Sequence, residues 1–119
     1  MILVDTSVWI DHFRAGNKRL SDLLTSTQVL IHPFIIGELA CGNLHNRAEI
    51  LKLLGRLPQA RIASDSEVLY FIEKQTLMGR GVGYIDVNLL ASVSLTQPCR
   101  LWTRDKNLGV VASELKLGW

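Results

Sequence analysis

Cysteine is scarce in this chain of 119 residues. Cys41 and Cys99 are too few for a disulfide framework, and Cys41 with His45 lacks the further ligands that a zinc site needs. Histidine is scarce as well: neither His12 nor His32 has a nucleophile or carboxylate patterned beside it to make a catalytic triad. No basic segment precedes the short apolar run at the start, so no secretory leader is expected. The longest charge-poor stretch, Val87 to Cys99, contains Asn, Ser, Thr, Gln and Pro and is shorter than the ~18 residues of a membrane span. No low-complexity tract or long-period repeat is present. These absences point to a cytosolic globular protein. The net charge of +2 is compatible with a nucleic-acid partner but does not demand one.

What remains is an ordinary composition, 48% hydrophobic and 20% charged, and a length that predicts one domain over residues 1–119. Strands and helices alternate along it. Ile2-Leu3-Val4 reads as a short buried strand, followed by a helix over SVWIDHF with Trp9 and Phe13 on the core face and Asp11 and His12 turned outward. A second helix is expected over Arg19 to Leu24, a strand at QVLIH, and a helix at PFIIGELACG with Pro33 in its first turn. NRAEILKLLGRL is amphipathic through Ile50, Leu53, Leu54 and Leu57, ARIA is a strand candidate, and Ser64 to Glu67 has the pattern of a capping box. After the helix EVLYFIEKQTL comes Gly79-Arg80-Gly81-Val82-Gly83, expected as a flexible connection. It lacks the preceding strand of a dinucleotide-binding fingerprint. YIDVNLLASVSL predicts a largely buried helix, CRLWT a strand and DKNLGVVASELKLG a last helix. The alternation predicts a three-layer α/β/α sandwich with a mostly parallel sheet, whose ligand site lies beyond the carboxyl ends of the strands.

Four of the 11 acidic residues stand where charge is normally excluded: Asp5 in ILVD, Glu38 in FIIGELA, Asp86 in YIDVNLLA and Asp105 in LWTRD. Each has a plain structural explanation. Asp5 and Asp105 follow strands and precede helices, where Asp is a preferred N-cap, and Asp86 can cap the helix it begins. Glu38 lies mid-helix and can reach water from the edge of the buried face. Taken singly, these explanations are the better ones. Taken jointly they are weaker, because caps and edge residues need not converge on one rim of a sheet.

Carboxylates brought together at ~4 Å repel by on the order of 4 kcal/mol per pair at an effective dielectric of about 20. Protons or cations must offset that. An all-oxygen ligand set suits Mg²⁺ or Mn²⁺ rather than zinc, and such an ion can activate water and neutralise a phosphodiester under attack. On this reading Asp5 and Asp86 are the leading metal ligands, and Glu38 and Asp105 complete the cluster directly or through water. The hydroxyls of Ser7 and Thr103 orient carboxylates or waters, with Asn107 a further polar neighbour. Arg80, Arg104 and Lys106 are candidate phosphate contacts, with ordinary solvated charges as the alternative.

The segments MILVDTSVWID, IIGELACG, YIDVNLLAS and LWTRDKNLGVVA resemble, in order and spacing, the motifs of PIN-domain proteins of the VapC ribonuclease-toxin type, from Met1 to about Leu117. The resemblance places the family's acidic positions on Asp5, Glu38, Asp86 and Asp105 and its hydroxylic positions on Ser7 and Thr103. It implies a Mg²⁺- or Mn²⁺-dependent endoribonuclease toxin, an RNA substrate, a cognate antitoxin covering the site, and a homodimer.

Three rivals remain. A phosphoacceptor receiver domain would carry paired acids after the first strand and a lysine ending a late strand; here Asp5 stands alone and CRLWT ends in Thr103. A non-catalytic interaction module on the same fold has no need of all four acids. A structure-specific DNA nuclease usually has a longer chain and a larger acidic cluster.

Overall fold

The computed structural model describes all 119 residues, Met1 to Trp119. The element order is β1 (Ile2–Val4), α1 (Thr6–Ala15), α2 (Lys18–Thr25), β2 (Val29–Leu30), α3 (Pro33–Ala40), α4 (Arg47–Leu54), α5 (Asp65–Lys74), α6 (Tyr84–Leu95), β3 (Arg100–Trp102) and α7 (Lys106–Glu114). The architecture is the α/β sandwich expected of the alternating pattern, with every strand of the sheet parallel.

All three residues of β1 are buried, as befits a central strand covered on both faces. The strand order is β2-β1-β3. The chain therefore leaves β1 toward β2 on one side and returns to β3 on the other, which opens a crevice at the carboxyl ends of β1 and β3. Register fixes what lines it. Val4 is opposite Trp102, and the Asp5 N–H donates to the Trp102 carbonyl at 2.9 Å, so residues 5 and 103 emerge side by side.

The core runs from the sheet into α6, where Val87 through Val93 are all buried. That helix begins and ends where the sequence pattern places it. Its apolar residues surround the axis, which suits a helix packed on more than one side. Trp9 is 2% exposed, in the core role expected of it, and stacks on the partly buried Phe13 with ring centroids 5.6 Å apart. Trp102 is only half-buried and meets Trp119 edge-on, with the Arg19 guanidinium over the Trp119 ring.

Several local expectations need correction. ARIA forms no strand: pairing with Ile31 is limited to one bridge at Gln59, and the Arg61 N–H leaves the sheet to donate to Thr96 Oγ1 at 3.0 Å. Ala60 and Ala63 are buried while Arg61 and Ile62 are exposed, a spacing of three rather than the alternation a half-buried strand requires. α4 ends at Leu54, and Leu53, expected on its apolar face, is 53% exposed. The glycine loop is more firmly tied than a free connection. Gly81 has φ +79° and packs against the Asn107 side chain, which donates to the Gly81 carbonyl, and Arg80 pairs with Glu114 at 2.6 Å. The capping box at Ser64 and Glu67 is present, and its hydrogen bonds hold the Glu67 carboxyl below the ordinary range.

No helix is long and apolar enough to cross a membrane.

Candidate metal centre

Asp5 occupies the N-cap position of α1, yet its side chain does not cap the helix. Its Oδ2 instead accepts two hydrogen bonds, from Thr103 Oγ1 at 2.7 Å and from Ser7 Oγ at 2.9 Å. Each hydroxyl is oriented from behind by a backbone donor: the Asp105 N–H donates to Thr103 Oγ1 and the Arg104 N–H to Ser7 Oγ, both at 3.0 Å. A hydroxyl has one hydrogen to give. With both hydrogens directed to Oδ2, the carboxylate is fixed by donors from α1 and from the loop after β3. Asp5 is 6% exposed, and its Oδ1 receives no hydrogen bond from the protein.

Glu38 reaches the same rim from α3. Ile35 and Leu39 bury one side of that helix, leaving Glu38 exposed at the boundary where α3 packs on α1. The start of α3 is set by Pro33 at its first position and by His32, whose Nδ1 accepts from the Phe34 N–H at 3.0 Å. Thr6 Oγ1 donates to Glu38 Oε1 at 2.7 Å, so consecutive residues of α1 steer two different carboxylates. Thr6 carries no marker in the sequence beyond its place next to Asp5.

Asp86 projects from the first turn of α6 and accepts from the Gly83 N–H at 3.3 Å. Its carboxyl is pushed above the ordinary value, chiefly by burial. The Gly83 N–H partly opposes that, while the charges of Asp5, Asp105 and Glu38 add to it. Asp105 caps α7 through Oδ1, which accepts from the Leu108 N–H at 2.9 Å. The cap explanation thus holds for Asp105 and in part for Asp86, and fails for Asp5.

Asp5, Asp105 and Glu38 each lie within electrostatic reach of Asp86, although no three of the four acids close around a common point. Their donor set is oxygen only, and its most firmly held member is a nearly buried carboxylate with one oxygen that accepts no hydrogen bond from the protein. Hard divalent cations such as Mg²⁺ and Mn²⁺ fit that chemistry.

The basic candidates fall in different places. Arg80 is turned to Glu114, Lys106 is exposed in the first turn of α7, and Arg104 pairs with Asp11 at 2.7 Å. Asp11 lies on the outward face of α1 as expected, but its contact with the loop after β3 was not visible in the helix pattern. Asn107 braces the glycine loop.

No protein-family model matches the chain. Among curated proteins it is similar to Ribonuclease VapC32 of Mycobacterium tuberculosis, in strains CDC 1551 / Oshkosh and ATCC 25618 / H37Rv. Identity is 47% over 114 residues, which cover 96% of this chain and 92% of the relative. Likeness at that level over nearly the full length of both proteins, on a parallel α/β fold, places the chain in the VapC-type family of PIN-domain ribonucleases.

Proposed function

We propose that the protein is a metal-dependent endoribonuclease, the toxin of a toxin–antitoxin pair, and that Asp5, Glu38, Asp86 and Asp105 hold Mg²⁺ or Mn²⁺ at its active site. The carrying observation is the treatment of Asp5: a carboxylate in a capping position that forgoes the cap and is held instead by two oriented hydroxyls. A structural acid has no need of that arrangement; a metal ligand does, because outer hydroxyls fix its rotamer and the oxygen it presents.

Asp5 and Asp86 are the leading ligands, with Glu38 and Asp105 completing the set directly or through water. When bound, the ion supplies a water of lowered pKa and neutralises charge on the phosphodiester. The protein's own contribution is placement. Ser7 and Thr103 hold Asp5, Thr6 holds Glu38, and the α7 cap leaves Asp105 Oδ2 free to face the rim. Burial around Asp86 strengthens every charge interaction there. The name of the relative, a ribonuclease, supports RNA as substrate. The VapC family membership supports a cognate antitoxin and a homodimer.

Calorimetric titration with Mn²⁺ tests the centre directly. The wild-type protein should bind the ion and a folded Asp86→Asn variant should bind it at least tenfold more weakly. Equal affinity in the two proteins would exclude Asp86 as a ligand.

A further inference from the structure

Asp11 lies one turn beyond Ser7 on α1, on the face that also carries Arg14. Its Oδ2 pairs with Arg104 Nη1 at 2.7 Å and its Oδ1 with Arg14 Nη2 at 2.9 Å, so each oxygen holds a different guanidinium. The Arg104 backbone is fixed independently, since its N–H donates to the Ser7 hydroxyl that in turn holds Asp5. Arg104 therefore stands at the edge of the acidic rim, attached at both backbone and side chain to α1.

Stability does not account for this cluster. The Arg104 and Arg14 side chains are 59% and 75% exposed, and ion pairs so exposed contribute only about 0–1 kcal/mol each. Nor are the guanidiniums used up. Each has five N–H donors in a planar fork suited to phosphate, and one nitrogen of each meets Asp11. A carboxylate shared by two arginines also restricts their rotamers before any ligand arrives, which reduces the entropy lost on binding. Beside four carboxylates that repel phosphate, a held pair of cations supplies the opposing attraction.

The geometry points to Arg104 and Arg14 as a paired grip on the RNA backbone next to the acidic rim, with Asp11 as the positioning residue that holds them. This rests on the ribonuclease reading and adds a binding determinant to it.

The test is equilibrium binding of a fluorescein-labelled single-stranded RNA of mixed sequence, followed by anisotropy in EDTA so that the RNA stays uncut. Arg14→Gln and Arg104→Gln should each weaken binding roughly fivefold, and each should lower the salt slope by about 0.7, the value for one phosphate contact on a single strand. Asp11→Asn separates positioning from charge. Removing a negative charge should by electrostatics alone tighten RNA binding; positioning predicts weaker binding, about threefold, with a reduced salt slope. Asp11→Glu, which keeps the carboxylate, should recover part of the loss, and unfolding midpoints of the exposed Arg14 and Arg104 variants should match the wild type. Tighter binding by Asp11→Asn, or wild-type affinity in both Arg→Gln variants, would overturn the inference. RNA cleavage by the wild type, measured separately, would leave the ribonuclease reading standing in that case. Absence of RNA binding by the wild type would remove the arginine pair as well.

Discussion

Thr103 donates its hydroxyl hydrogen to Asp5 Oδ2 across 2.7 Å, joining residues 98 positions apart at the crevice between β1 and β3. The parallel register places them together, since Val4 is opposite Trp102 and the next residue after each strand leaves the sheet at the same edge. The carboxylate proposed as a metal ligand is thus tied to the two strands that define the crevice.

Thr103→Val removes that donor and also strips the Asp105 N–H of its acceptor; Ser7→Ala likewise removes the second donor to the same oxygen and the acceptor of the Arg104 N–H. Each variant should lose about 1–3 kcal/mol of stability, as expected when a nearly buried charge loses a partner. In an Asp5→Asn background the penalty should shrink, because the charge that needed the donors is gone. Denaturant unfolding of the four corners of the Asp5–Thr103 cycle measures this coupling. Strict additivity would mean that the hydroxyl is not supporting the carboxylate.

At Gly81, φ is +79° and an added Cβ would stand 2.9 Å from Asn107 Nδ2. Gly81→Ala should destabilise the protein by about 1–2 kcal/mol, from the left-handed backbone together with the displaced side chain. Adding Asn107→Ala should relieve the collision and leave the backbone part. Thermal unfolding of the single and double variants reads both, and full recovery in the double variant would show the backbone to be unstrained.

His32 is fully buried, and burial holds its imidazole below the ordinary value of 6.5. The neutral ring is also what the α3 cap requires, since Nδ1 accepts from the Phe34 N–H. Below pH 6.5 the unfolded chain takes up a proton that the folded chain refuses until its lower pKa is reached. Stability should therefore fall as pH falls through that window, with no slope from this group above it. His32→Asn, which keeps a capping acceptor, should lose this part of the slope. An unchanged profile of unfolding free energy between pH 7.5 and pH 5 would contradict the assignment.

Much of this was legible in the sequence because it is written in local pattern. The run Ile2-Leu3-Val4 before Asp5 reports a buried strand ending in a charge, and the predominantly apolar middle of α6 reports a helix packed on more than one side. The choice between cap and site could not be read locally, and the structure shows why: a carboxylate has two oxygens. Asp105 spends Oδ1 on the α7 cap while keeping Oδ2, whereas Asp5 gives nothing to the cap. Pairings such as Thr6 with Glu38 and Asp11 with Arg104 depend on how α1 lies against α3 and against the loop after β3. Neither leaves a periodic trace. Ala60–Ala63 forms no strand, and the sequence could not show it, because a window of only four residues, Ala-Arg-Ile-Ala, does not separate alternation from a spacing of three.

The most direct measurement is cleavage of a mixed pool of structured cellular RNA by the purified, antitoxin-free protein with Mg²⁺, with Mn²⁺ and with EDTA, beside a folded Asp5→Asn variant. The predicted result is discrete fragments from the wild type that require the metal, with cleavage by Asp5→Asn reduced by at least 100-fold, about 2.7 kcal/mol of barrier. Metal-independent cleavage, or near-wild-type cleavage by the variant, would contradict the assignment of the acidic rim as the catalytic centre.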